Sequence, residues 1–132
     1  MNSLAALLSR IVTDLQRSDY CVAIRVLETQ QYSRHQFAFK MRVELVTGDV
    51  LQIRIYCNDN HVDYSYQLLR GAQPIQRWDN KEHFPEIASH PHHFHSPAGK
   101  VEASPLTGDP THDLLLVMRF LFAHDQADTI GE

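Results

Sequence analysis

The spacing of apolar positions along the chain changes from helical to extended and back again. Leu4, Leu7, Leu8, Ile11, Val12 and Leu15 recur at i, i+3, i+4, i+7, i+8 and i+11, one face of a helix over 3–17, with Ser3 as its N-cap. The period then becomes two. Tyr20, Val22, Ile24 and Val26 alternate with Cys21, Ala23 and Arg25. Phe37 to Leu45 and Leu51 to Cys57 repeat the pattern, with Lys40, Arg42 and Arg54 on the polar side. Thr47-Gly48-Asp49 makes a hairpin of these last two strands, and Asn58-Asp59-Asn60 is a polar turn. A fourth strand over 62–69 and a fifth over 75–78 flank the turn Arg70-Gly71-Ala72-Gln73.

From Asn80 to Gly108 the periodicity vanishes and Pro85, Pro91, Pro97 and Pro105 intervene, so an irregular loop is expected there. Asp109-Pro110 reads as an N-cap followed by proline in the first turn, opening a helix to about His124. Asp125 to Glu132 reads as an acidic, frayed tail. The order of elements predicts a single α+β domain over 1–132: an antiparallel sheet of about five strands, with the two terminal helices on one face. Leu114 to Phe122 leave only Arg119 polar, so the last helix is expected to be buried on more than one side. Either the domain's own core or a second copy in a homodimer would cover it.

At 43% hydrophobic and 21% charged residues, the composition excludes a disordered or fibrous chain. The longest apolar run, Leu114 to Met118, is far short of the ~20 residues of a membrane span. The N-terminus lacks the basic and apolar regions of a secretory signal. Cys21 and Cys57 then read as reduced thiols, and a cytoplasmic location is expected. The net charge of −4 divides unevenly, +2 over residues 1–81 and −6 over 82–132. The net charge disfavours bulk attraction to nucleic acid, and leaves room for local contacts from the arginine-rich first part.

Five of the nine histidines, His83, His90, His92, His93 and His95, crowd into the proline-bearing loop. Three roles fit them. As acid and base, His83, His92, His93 and His95 suit proton transfer near neutrality, with Arg77 as a phosphate-binding cation and Asp79 orienting an imidazole or the arginine. That mechanism, a small ribonuclease, requires no cofactor. As metal ligands, His83, Glu86, His92 and His95 supply four donors for zinc or manganese, although the spacing matches no familiar zinc pattern. As structural groups, the imidazoles pair the loop's backbone carbonyls. The polar face of the sheet, with Arg25, Lys40, Arg42, Arg54 and Tyr56, is a solvated surface or an RNA-binding one. Tyr64 and Tyr66 share one face of the next strand and either belong to the core or line a cleft beside the histidine loop; with Trp78 they are the aromatic candidates for binding a substrate.

The run Tyr64-Ser65-Tyr66-Gln67-Leu68, Arg77-Trp78-Asp79-Asn80, His83-Phe84-Pro85-Glu86 and Pro91-His92-His93-Phe94-His95 resembles the TumE family, small toxins of prokaryotic toxin–antitoxin pairs. The family pattern carries histidine where this chain has Gln67 and Phe84, and Ala-Pro where it has Lys81-Glu82. The resemblance implies a toxin with a cognate antitoxin from an adjacent gene. It also implies that neither position 67 nor position 84 supplies an essential acid or base here. RNA as the target follows only by analogy with other small toxins.

Overall fold

A computed structural model describes residues 3–123. Helix α1, Leu4–Gln16, begins where Ser3 Oγ accepts the Ala6 N–H at 3.1 Å, and it buries Leu7, Ile11 and Leu15. The alternating segments form strands β1 (Cys21–Ser33), β2 (Gln36–Leu45), β3 (Val50–Asn58), β4 (His61–Arg70) and β5 (Gln73–Asp79). Two three-residue strands follow, β6 (His93–His95) and β7 (Val101–Ala103), and then helix α2, Pro110–Leu121. Every strand pairs antiparallel with its sequence neighbour, giving one sheet in the order β1 to β7.

The α+β class agrees with the sequence, but the sheet has seven strands where about five were expected. The two additional strands lie inside the stretch expected to be irregular. Each is too short to show a period, and each is held by the ladder of the strand before it. β1 also runs seven residues past its apolar alternation, because 28–33 pair with β2 although neither of their faces is apolar.

Period two sends Phe37, Phe39, Met41, Val43 and Leu45 of β2, Leu51, Ile53 and Ile55 of β3, and Tyr64, Tyr66 and Leu68 of β4 to one buried face. Both helices contribute to the core on that face. The other face carries the polar residues and is open. α2 starts as expected, with Asp109 accepting the Thr111 N–H at 3.1 Å. It buries one side only, through Leu114, Val117, Met118 and Phe122, while Leu115 and Phe120 stay about half exposed. A single helical layer over the sheet has no second layer to cover its outer side. The segment 124–132, including the predicted last residue of this helix and the acidic tail, lies outside the described residues. Among the described residues, no helix is long and apolar enough to cross a membrane.

Candidate functional site

The short pairing of β5 with β6 builds the site. Arg77 stands opposite His95, and Asp79 opposite His93. Each pair of neighbours is separated by one residue along its strand, so all four side chains emerge on the open face of the sheet. The intervening Trp78 and Phe94 point the other way and pack together at 4.7 Å between ring centroids.

Asp79, only 3% exposed, is the hub. Its Oδ2 accepts from Arg77 Nε at 2.7 Å, and its Oδ1 accepts from the Lys81 N–H at 3.1 Å and lies 2.9 Å from His93 Nε2. His93 is 2% exposed, and its Nδ1 donates to the Pro91 carbonyl at 3.1 Å. Arg77 Nη2 lies 3.1 Å from His95 Nε2, and the two Nε2 atoms of His93 and His95 are 3.1 Å apart. A guanidinium can only donate, so His95 Nε2 presents a lone pair. His93 Nε2 therefore faces one lone pair and one carboxylate oxygen. A hydrogen on His93 Nε2, or a cation among Asp79, His93 and His95, closes this arrangement. The donor atoms of these three residues all lie within 4.8 Å of one another.

Burial pushes His95 below the ordinary histidine range, and the adjacent Arg77 pushes it the same way; Asp79 opposes them. His95 is accordingly set up as a neutral imidazole. Phe84 lies edge-on to both rings, with centroids 4.9 Å from His93 and 5.9 Å from His95. Arg77, Asp79, Lys81 and His83 line one part of a groove of about 990 Å³ that extends over the open face past Arg54 and Lys40. Arg77 and Asp79 of the cluster, with His83, thus share one concavity with Arg54 and Lys40 of the basic sheet face, which appear unrelated to them in the sequence.

The remaining candidates are scattered. His83 is exposed at the groove. His92 is on the other face, with Nδ1 2.9 Å from the Tyr64 hydroxyl, and burial lowers its pKa. Tyr64, Tyr66 and Trp78 belong to the core at 4%, 1% and 3% exposure, because their positions share the parity of the buried face. Their rings are not free to stack on a base. Arg54 lines the groove, and Arg42 donates to Gln52 Oε1 at 3.1 Å beside it. The four donors chosen from the sequence for a metal, His83, Glu86, His92 and His95, do not converge. The group that does converge shares only His95 with that set. Parity explains the difference: residues 93 and 95 share a strand face, whereas 92 points away from it.

The two positions at which the family pattern has histidine and this chain does not both adjoin the cluster. Gln67 is the β4 neighbour of Arg77, and Phe84 covers the two imidazoles. Asn80, the last residue of the Arg77-Trp78-Asp79-Asn80 segment, extends the sheet. Its Oδ1 accepts the Tyr64 N–H at 3.0 Å and its Nδ2 donates to the Val62 carbonyl at 2.7 Å.

The family model described as Toxin TumE matches residues 9–123. No curated protein and no solved structure matches the chain.

Proposed function

From the premise that the chain belongs to the TumE toxin family, we propose that it is the toxin of a toxin–antitoxin pair and cleaves RNA at the Arg77–Asp79–His95 cluster. A toxin family implies an antitoxin partner. The observation that carries the chemistry is the convergence of an imidazole, a guanidinium and a buried carboxylate, His95, Arg77 and Asp79, at the edge of a groove that Arg77 and Asp79 line.

In this reading His95 Nε2 takes the proton of the ribose 2′-hydroxyl as its oxygen attacks phosphorus. The bond from phosphorus to the 5′-oxygen breaks, and a protonated imidazole, His83 at the groove, supplies the proton that the leaving oxygen needs. The products are a 2′,3′-cyclic phosphate and a 5′-hydroxyl. Arg77, whose side chain is 40% exposed, turns from His95 to the phosphate and releases the Nε2 lone pair. His93 is too buried to touch a substrate. Together with Asp79 it holds Arg77 and His95 in position and is a positioning residue. His92, on the opposite face, takes no part.

A second reading rests on the same three donors. Asp79, His93 and His95 match the count of a metal site with an open position. Arg77 weighs against it, because the guanidinium already engages Asp79 Oδ2 and His95 Nε2, two of the three donor groups.

One assay separates the readings: cleavage of a labelled RNA between about pH 5 and 8, with and without EDTA, by wild type and by His83→Ala, His95→Ala and Arg77→Ala. The imidazole mechanism predicts a bell-shaped rate unchanged by EDTA, with each variant reduced by a factor of about 10² or more. Loss of cleavage in EDTA, restored by zinc or manganese, replaces it with the metal reading. A chain that arrests growth but cleaves no RNA at any pH refutes both.

A further inference from the structure

The strand register aligns the open face into two tracks that cross the sheet at right angles to the strands. One begins at His95 and Arg77 and continues through Gln67, Gln52, Arg42 and Arg25. The other begins at Asp79 and continues through Ser65, Arg54, Lys40 and Glu28. Beyond the cluster these tracks carry four cations, Arg25, Lys40, Arg42 and Arg54, and among the described residues none of them has a carboxylate within 4.0 Å. Glu28, at the edge strand, is the one acidic residue in the tracks apart from Asp79, which is already engaged.

Arg25 stands directly opposite Arg42 across β1 and β2. Like charges in that relation destabilise a sheet. An acid at either position would remove the repulsion, so the pair makes sense as a site for an outside anion. The polyanion must follow the tracks, across the strands. From Arg77 to Arg25 the path crosses four inter-strand gaps, ~19 Å at ~4.8 Å each. That length suits about four nucleotides of an extended strand. Glutamine and serine lie between the cationic positions and offer hydrogen bonds; the aromatic rings of β4 and β5 face the core, while Tyr56 of β3 lines the groove beside Arg54.

We infer that Arg25, Lys40, Arg42 and Arg54 form a phosphate track that holds single-stranded RNA perpendicular to the strands, on one side of the scissile bond at Arg77. This inference rests on the ribonuclease reading of the cluster. Recognition along the track is through the backbone, so it carries little sequence preference.

The test uses a fluorescein-labelled single-stranded RNA octamer with full-length protein carrying His95→Ala, which prevents cleavage. Affinity is measured by anisotropy from about 50 to 200 mM salt. Each cation that meets a phosphate on a single strand contributes about 0.7 to the slope of log K against log salt. Arg25→Gln with Arg42→Gln should lower the slope by about 1.4, and Arg10→Gln, on α1 behind the sheet, should leave it unchanged. The double variant should melt no lower than its parent, because the like-charge pair is gone. In the active chain the same pair should raise KM for RNA with kcat retained. An unchanged slope and an unchanged KM, in a chain that does cleave RNA, overturn the track and leave the ribonuclease reading standing. Absence of both binding and cleavage in the wild-type background overturns that reading, and the track with it. Binding of an acidic peptide but not RNA, with the same dependence on Arg25 and Arg42, makes the face a protein-docking surface and refutes the inference.

Discussion

Replacing Asp79 with asparagine preserves the shape of the hub and removes its charge, and the cost follows from the contacts. Three donors converge on the carboxylate: Arg77 Nε at 2.7 Å, His93 Nε2 at 2.9 Å and the Lys81 N–H at 3.1 Å. An amide has one acceptor oxygen, so one of the two positions becomes a donor facing donors. The better orientation keeps oxygen toward His93 and Lys81, which are confined, and turns the amide nitrogen toward Arg77. Arg77 is 40% exposed and can pair with water, so its loss is near that of a surface ion pair, up to about 1 kcal/mol. The bond from His93 weakens from charge-assisted to ordinary, about 1 kcal/mol more. The expected destabilisation is about 2 kcal/mol for Asp79→Asn. For Asp79→Ala it is about 3–5 kcal/mol, since two confined donors then have no acceptor. Urea unfolding at pH 7 reads both values, and a double-mutant cycle with Arg77→Gln should return a coupling of about 1 kcal/mol. An Asp79→Asn protein within about 0.5 kcal/mol of wild type refutes the hub, and with it the claim that Asp79 positions Arg77 and His95.

Further expectations concern protons, packing and cells. Burial is the main cause that lowers the pKa of both His92 and His95, so the unfolded chain binds more protons than the native one just below pH ~6.5. Their contribution to stability is therefore complete above ~6.5 and lost as pH falls through the lower native values; thermal melts at stepped pH should show this, and His92→Gln should flatten it. Phe84→Ala uncovers His95, so the acidic limb of the rate profile should move up toward ~6.5, and a limb that does not move refutes desolvation as the cause. Phe122 is 4% exposed and stacks on Tyr20 at 4.0 Å, so Phe122→Ala should cost about 3–5 kcal/mol, whereas half-exposed Phe120→Ser should cost much less in the same urea titration. Induced alone the chain should arrest growth, and co-expression with the adjacent gene should relieve the arrest; normal growth at confirmed soluble expression contradicts the toxin role.

The sequence by itself determined whatever depends on near neighbours. The i, i+3, i+4 spacing and Ser3 define α1, Asp109-Pro110 starts α2, and strict alternation defines the central strands, because helical and pleated periods are properties of a few consecutive residues. Even the site left a local trace that could have been read: Arg77-Trp78-Asp79 and His93-Phe94-His95 each place two polar residues around one aromatic, the signature of a strand with one wet face. What the sequence could not determine was that these two triplets pair, that His92 and His83 fall outside the resulting hydrogen-bonded cluster, and that Arg25 meets Arg42. β6 and β7 have no period of their own and exist through hydrogen bonds to a strand already in place. The polar half of β1 is likewise held by β2 alone. Such pairings are decided by ladder register and by burial of the whole sheet face, which sum over distant segments. A one-residue slip would send every side chain to the opposite face, so the chemistry of this groove was fixed only when the tertiary structure chose the register.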